Sequence, residues 1–101
     1  MLAISPKLGE FLVKATKAKD IDDAFRRVFS EYLAMKIANL AKTSEGFKKK
    51  WSMNFSEFQL RLKGGTLKVD SYKFDTEQDF WQWEEAETLK SHYETLQKQW
   101  T

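Results

Sequence analysis

The sequence predicts a mainly α-helical protein, and three observations carry this prediction. Apolar residues recur every three or four positions near both ends of the chain. Cap residues and helix breakers stand where helices should begin and end, at Ser5-Pro6, Asp20, Asn54 and Gly64-Gly65. Only one short stretch shows a two-residue alternation. We therefore expect an N-terminal helix pair, a short capped helix, an extended arm with the pattern of a short strand, and a long C-terminal helix.

The N-terminal pair begins with Ser5 as N-cap and Pro6 at the first helical position, and the first helix should run to about Lys17. Asp20 can cap a second, longer helix. Its apolar stripe is too wide for the first helix alone to cover, so it needs either the C-terminal helix or another copy of the chain. The stripe comprises Ile21, Ala24, Phe25, Val28, Phe29, Tyr32, Leu33, Ile37 and Leu40. We predict dimerisation through Phe25, Phe29 and Leu33.

The middle of the chain contains a basic stretch and then a short helix. The stretch from Thr43 to Trp51, which includes FKKKW, fits either a helix or a structured joint. Asn54 and Glu57 have the spacing of a capping box, and Gly64-Gly65 can end the helix that they begin.

The last third should contain an extended arm over residues 66–74 and a helix that starts at Asp75 or Thr76 and reaches Trp100. Its apolar positions are Phe80, Trp83, Ala86, Leu89, Tyr93, Leu96 and Trp100. Trp81 lies off that stripe.

Length and composition predict one small cytoplasmic unit in two parts. We expect residues 1–50 to form the helical pair, which dimerises. We expect residues 51–101 to hold the short helix, the arm and the C-terminal helix, which bind a partner. The two parts are either one compact unit or loosely joined. The first part carries a charge of +5 and the second −3. The chain has no Cys, no secretory leader pattern and no apolar run long enough for a membrane.

Enzymatic chemistry is not expected. His92 is the single histidine, and the phosphate-binding, zinc and calcium motifs have no counterpart in the sequence. We therefore predict no catalytic residues, no metal, no cofactor, no small-molecule substrate and no membrane association.

The acidic segment from Asp75 to Glu87 is the strongest interaction signal. It combines six carboxylates with three large aromatic rings and has no basic residue. Such a surface suits a basic partner, although acids at a helix start and rings in a core explain the same pattern without any partner. The predicted partner-binding residues are Asp79, Phe80, Trp81, Trp83 and Glu84.

The basic first half offers a different function, that of a nucleic-acid-binding regulator. Its candidate phosphate contacts, with operator DNA as the partner, are Arg26, Arg27, Lys48, Lys49 and Lys50. A third alternative is a small helical oligomer with no dedicated ligand, in which all rings are buried between copies.

Taken together, FKKKW, MNFSEFQLRL with its closing glycine, the alternating arm and DFWQWEEA resemble small prokaryotic antitoxins of the kind paired with TumE-type toxins. The resemblance covers about Phe47 to Leu89. It implies a cognate toxin, commonly a ribonuclease, that is neutralised in a tight complex. Matched to the family pattern, Phe55, Phe58 and Leu62 hold the short helix, and Phe80, Trp83 and Glu84 fall in its acidic D-x-x-x-W-E segment.

Overall fold

A computed structural model describes residues 5–67 and 74–100, apart from the side chain of Phe74. These residues form four helices and no strand: α1 (Pro6–Thr16), α2 (Ile21–Trp51), α3 (Phe55–Gly64) and α4 (Phe74–Trp100). The predicted mainly α-helical class is therefore confirmed.

The α1–α2 hairpin is defined by caps at both ends of its short connection. Ser5 Oγ accepts a hydrogen bond from the Leu8 N–H at 3.2 Å, and Lys17 ends α1 in the left-handed conformation. Asp20 then caps α2 by accepting from the Asp23 N–H at 2.8 Å. These groups satisfy backbone donors and acceptors that helix ends leave free, which explains why both boundaries were predictable.

The basic stretch from Thr43 to Trp51 is the end of α2, so of the two predicted alternatives the helix is found. As a result α2 runs unbroken for 31 residues, about 46 Å at the standard helical rise. It ends where Ser52 adopts a φ of 57°.

The bounds of the short helix α3 are as predicted, but of the predicted capping box only the Asn54 half forms. Asn54 Oδ1 accepts from the Glu57 N–H at 2.9 Å, while the Glu57 carboxylate pairs with Arg61 on the next turn. Gly65 takes a φ of 69°, and the N–H groups of Gly65 and Thr66 bond to the Leu62 and Arg61 carbonyls. This is the Schellman arrangement, in which a left-handed glycine costs no Cβ strain.

Helix α4 runs antiparallel to α2. Residues later in α4 form hydrogen bonds with residues earlier in α2. Asp79 pairs with Trp51, Trp83 with Ser44, and Trp100 with Ser30. The helix begins at Phe74, one or two residues before the predicted starts at Asp75 and Thr76. Residues 68–73, which hold most of the predicted arm, lie outside the described residues.

The densest part of the core is an aromatic cluster where α2, α3 and α4 meet. Phe58 and Trp83 are fully enclosed there, with ring centroids 5.2 Å apart. The other rings of the cluster are Phe47, Trp51, Phe55 and Phe80. This cluster fixes how α4 is rotated about its own axis, and so determines which α4 residues face solvent.

Candidate partner-binding face

Buried polar contacts hold the inner side of α4 against α2. Trp83 is 1% exposed, and its indole N–H donates to Ser44 Oγ at 2.9 Å. Ser44 in turn donates to the Glu87 carboxylate, so a carboxylate one turn further along α4 is also held by α2. Because buried polar groups need partners, only one rotation of α4 satisfies all three groups at once.

A second polar contact lies closer to the start of α4. Asp79 is 8% exposed and accepts from the Trp51 indole N–H at 3.0 Å. The Lys50 ammonium lies 2.6 Å from the same carboxylate oxygen. A buried carboxylate is tolerated there because a cation and a hydrogen-bond donor both reach it.

The opposite side of α4 is an acidic surface centred on one exposed ring. Trp81 is 58% exposed, which is unusual for so large a side chain. Three carboxylates neighbour this ring on the helix surface: Glu77 lies four residues before it, Glu84 three residues after it and Glu85 four residues after it. We call these four residues the outer acidic face. None of its carboxylates forms an ion pair with another described residue.

The predicted partner-binding residues therefore divide between the two sides of α4. Trp81 and Glu84 are exposed on the outer side. Asp79 and Trp83 are core residues in this conformation, and a partner could reach them only if α4 left α2. Phe80 is half-buried between the rings of Phe55 and Phe58. Any direct contact with a partner thus depends on Trp81 and Glu84.

Glu77 and Glu85 are the members of the outer acidic face that sequence reasoning did not select. The signal that could have found them was the position of Trp81, which was recognised as off the apolar stripe. Residues three or four positions from an off-stripe ring share its exposed side.

The predicted dimerisation residues are also divided. Leu33 is 1% exposed and packs inside the chain, so in this conformation it is not available to a second copy. Phe29 makes an edge contact with the Trp100 ring at 4.6 Å and remains partly exposed. Phe25 is partly exposed as well.

Most of the predicted nucleic-acid contacts have carboxylate partners within the chain. Arg26 and Arg27 lie 3.1 Å from Asp22 and Asp23 respectively, and Lys50 pairs with Asp79. Within this predicted set, Lys48 and Lys49 are the two that are exposed and form no ion pair with another described residue. Phosphate binding requires positive charge that is not already neutralised. Because three of the five predicted residues are paired with carboxylates, they are less suited to bind nucleic acid.

Asp23 joins this N-terminal network through its carboxylate. The backbone N–H of Lys19 donates to Asp23 Oδ2 at 3.2 Å, and the Arg27 guanidinium donates to the same oxygen. The Lys19 hydrogen bond first, and Arg27 second, lower the pKa of the Asp23 carboxyl below its ordinary value of 3.8.

The described parts of the chain contain neither a metal-binding cluster nor a membrane-spanning helix. No group of three or more His, Cys, Asp or Glu side chains there could hold a metal ion. No helix in residues 5–67 and 74–100 combines the length and apolar character needed to span a membrane. His92 is exposed and lies beside the Tyr93 ring.

No protein-family model, curated protein or solved structure matches the chain.

Proposed function

We propose that this chain is a protein-interaction module of the antitoxin kind, which neutralises a cognate toxin by covering a basic surface with its outer acidic face. The observation that carries the proposal is the 58% exposure of Trp81 among three carboxylates. An exposed indole has a high free-energy cost in water that contact with a partner removes.

The ring and the carboxylates have different roles in this mechanism. Trp81 is the anchor, since tryptophan is among the residues that contribute most to interface affinity when fully desolvated. Glu77, Glu84 and Glu85 attract a basic partner and orient it. A ribonuclease must carry a basic surface to hold RNA phosphates, so carboxylates bound to that surface would exclude the substrate.

Neutralisation of this kind requires no reaction by the chain itself. It is not an enzyme in this proposal and uses no cofactor, because occupying a surface is sufficient. The complex would form in the cytoplasm, where the toxin would meet its RNA substrate.

The first experiment is co-expression of the chain with the product of the adjacent gene. We expect the two proteins to elute together from a size-exclusion column, and we expect the chain to restore growth to cells in which that product alone arrests it. The combined change Trp81→Ala with Glu84→Lys should abolish both effects while leaving the helical circular dichroism signal unchanged.

The matched control is Leu60→Ala with Glu45→Lys, which makes the same types of change at exposed positions outside α4. This control should bind like the wild type. The proposal would be contradicted if the two double variants lost binding equally, or if the wild type formed no complex with the adjacent gene product. A complex that dissociates with salt as steeply as phosphate binding does, and that contains nucleic acid, would favour the basic surface instead.

A further inference from the structure

Helix α2 carries a second apolar face that its neighbours cover only in part: Ile21 lies against Gly9 of α1, and the Tyr32 ring makes an edge contact with Tyr93 of α4. It consists of five large side chains at alternating spacings of four and three residues: Ile21, Phe25, Val28, Tyr32 and Met35. Each of them is between 38% and 51% exposed. We call this row the α2 seam.

The α2 seam lies well away from the side of α2 that contacts α4. The latter side is marked by Leu33, Ser44 and Phe47, which pack inside the chain or contact Trp83. At 100° per residue, the centres of the two sides are separated by about 120° around the helix. A partner could therefore pack on the seam beside α4, next to the contact between Tyr32 and Tyr93.

The spacing of the seam is the heptad pattern of a coiled coil. Phe25 and Tyr32 take a positions, whereas Ile21, Val28 and Met35 take d positions. The next a position is Asn39, which is exposed. An asparagine at a single a position is a feature that aligns two helices and favours a pair of strands.

The exposed apolar area of the α2 seam is comparable to the largest patch on a typical monomer, and such patches are often functional. Five large side chains at this exposure leave roughly 400 Å² of apolar surface in one row. A groove of about 700 Å³ between α1 and α2, whose lining includes Val13, Ile21 and Phe25, adds further surface at one end of the row. The seam alone supplies about half of the roughly 800 Å² per partner of a standard interface, so flanking positions must contribute the rest.

The charges beside the α2 seam match a second copy of the same helix in parallel. Glu31 is at the g position and Lys36 at the e position of the following heptad, so each Glu31 would face Lys36 of the other copy. Glu31 forms no ion pair with another described residue, and the Lys36 ammonium lies 5.6 Å from the centre of the Tyr32 ring, at the edge of the seam.

We propose that two copies of this chain pair in parallel through the α2 seam. The face differs from the sequence-predicted one, because of the three predicted residues only Phe25 belongs to the seam, whereas Phe29 and Leu33 do not. The pairing leaves the outer acidic face of α4 free in both copies, so the dimer would present two partner-binding faces.

The oligomeric state tests the pairing. Light scattering coupled to size exclusion should give a mass of about 24 kDa, twice the 11.9 kDa of one chain. Val28→Lys with Met35→Lys should shift the mass to that of one chain with an unchanged helical signal. Leu60→Lys, at a 72% exposed position on α3, is the control and should remain dimeric. A monomeric wild type, or a dimer that survives the seam changes, would overturn the proposal.

The orientation has its own test, because the chain contains no cysteine. In a parallel pair the two Asn39 positions face each other, so N39C should form a covalent dimer under mild oxidation. A34C, on an exposed part of α2 away from the seam, should not. Glu31→Lys should weaken the dimer and the added change Lys36→Glu should restore it. A dimer in which N39C does not cross-link, or in which this restoration fails, would contradict the parallel arrangement.

Discussion

Trp83 and Ser44 join the two long helices, with the indole N–H of Trp83 donating to Ser44 Oγ at 2.9 Å. The Ser44 hydroxyl in turn donates a hydrogen bond to the Glu87 carboxylate. One hydroxyl of α2 therefore satisfies both a donor of α4, the Trp83 indole N–H, and an acceptor of α4, the Glu87 carboxylate. Its position between the two helices means that Ser44 acts together with the aromatic cluster to set the rotation of α4, and hence the exposure of Trp81.

Ser44→Ala should lower the free energy of unfolding by about 1–3 kcal/mol, because the buried indole N–H loses its acceptor. The measurement is urea denaturation followed by circular dichroism. Ser44→Thr, which keeps the hydroxyl, is the control and should be closer to the wild type. An Ala variant as stable as the wild type would show that the hydroxyl has no role in holding α4.

Truncation to alanine should lower the stability of the protein much more at Trp83 than at Trp81. Trp83→Ala leaves a cavity in the aromatic cluster and should cost about 3–5 kcal/mol of stability. Trp81→Ala, at an exposed position, should change stability by less than about 0.5 kcal/mol. Thermal denaturation of both variants checks this, and similar losses for the two would contradict the placement of Trp81 on the outer side.

Asn54→Ala should cost about 1 kcal/mol, since the N–H of Glu57 loses the side-chain acceptor at the start of α3. Asn54→Asp, which keeps an acceptor oxygen, should retain most of the stability. Urea denaturation measures both. Equal stability of the Ala and Asp variants would indicate that the packing of Phe58, rather than the cap, determines where α3 begins.

The lowered pKa of Asp23 predicts a dependence of stability on acid. The folded state favours the ionised carboxylate, so its contribution is fully present above the ordinary pKa of 3.8 and is lost as the pH falls through the lowered folded-state value. Asp23→Asn should therefore be less stable than the wild type at neutral pH, and the difference should shrink below about pH 4.

Thermal melts of the two proteins between pH 2 and pH 7 check this dependence. A difference that stays constant over the whole range would mean that the charge of Asp23 does not contribute.

The helix boundaries were predictable because they depend on local chemistry. Asp20, Asn54 and Gly65 act on backbone groups within a few residues of themselves, so neighbouring residues are enough to identify the ends. The helical continuation of α2 to Trp51 had no such marker, which left a helix and a joint equally consistent with the sequence.

The allocation of side chains to inside and outside was not predictable in the same way. Leu33 and Phe25 belong to one wide apolar stripe, and only the position of α4 buries the first and leaves the second partly exposed. Asp79 would ordinarily be exposed, but Lys50 and Trp51 from a distant part of the chain pair with it. Such long-range partners leave no pattern in a single sequence.

In the proposed complex, the partner binds the outer acidic face through Trp81. Titration calorimetry of the purified adjacent gene product against Trp81→Ala and against Leu60→Ala measures this contribution, because both changes remove an exposed apolar side chain. We predict that Trp81→Ala weakens binding by at least about 30-fold, as expected for an anchor residue worth 2 kcal/mol or more, and that Leu60→Ala changes it by less than about threefold. Equal affinity of the two variants for the partner would contradict the claim.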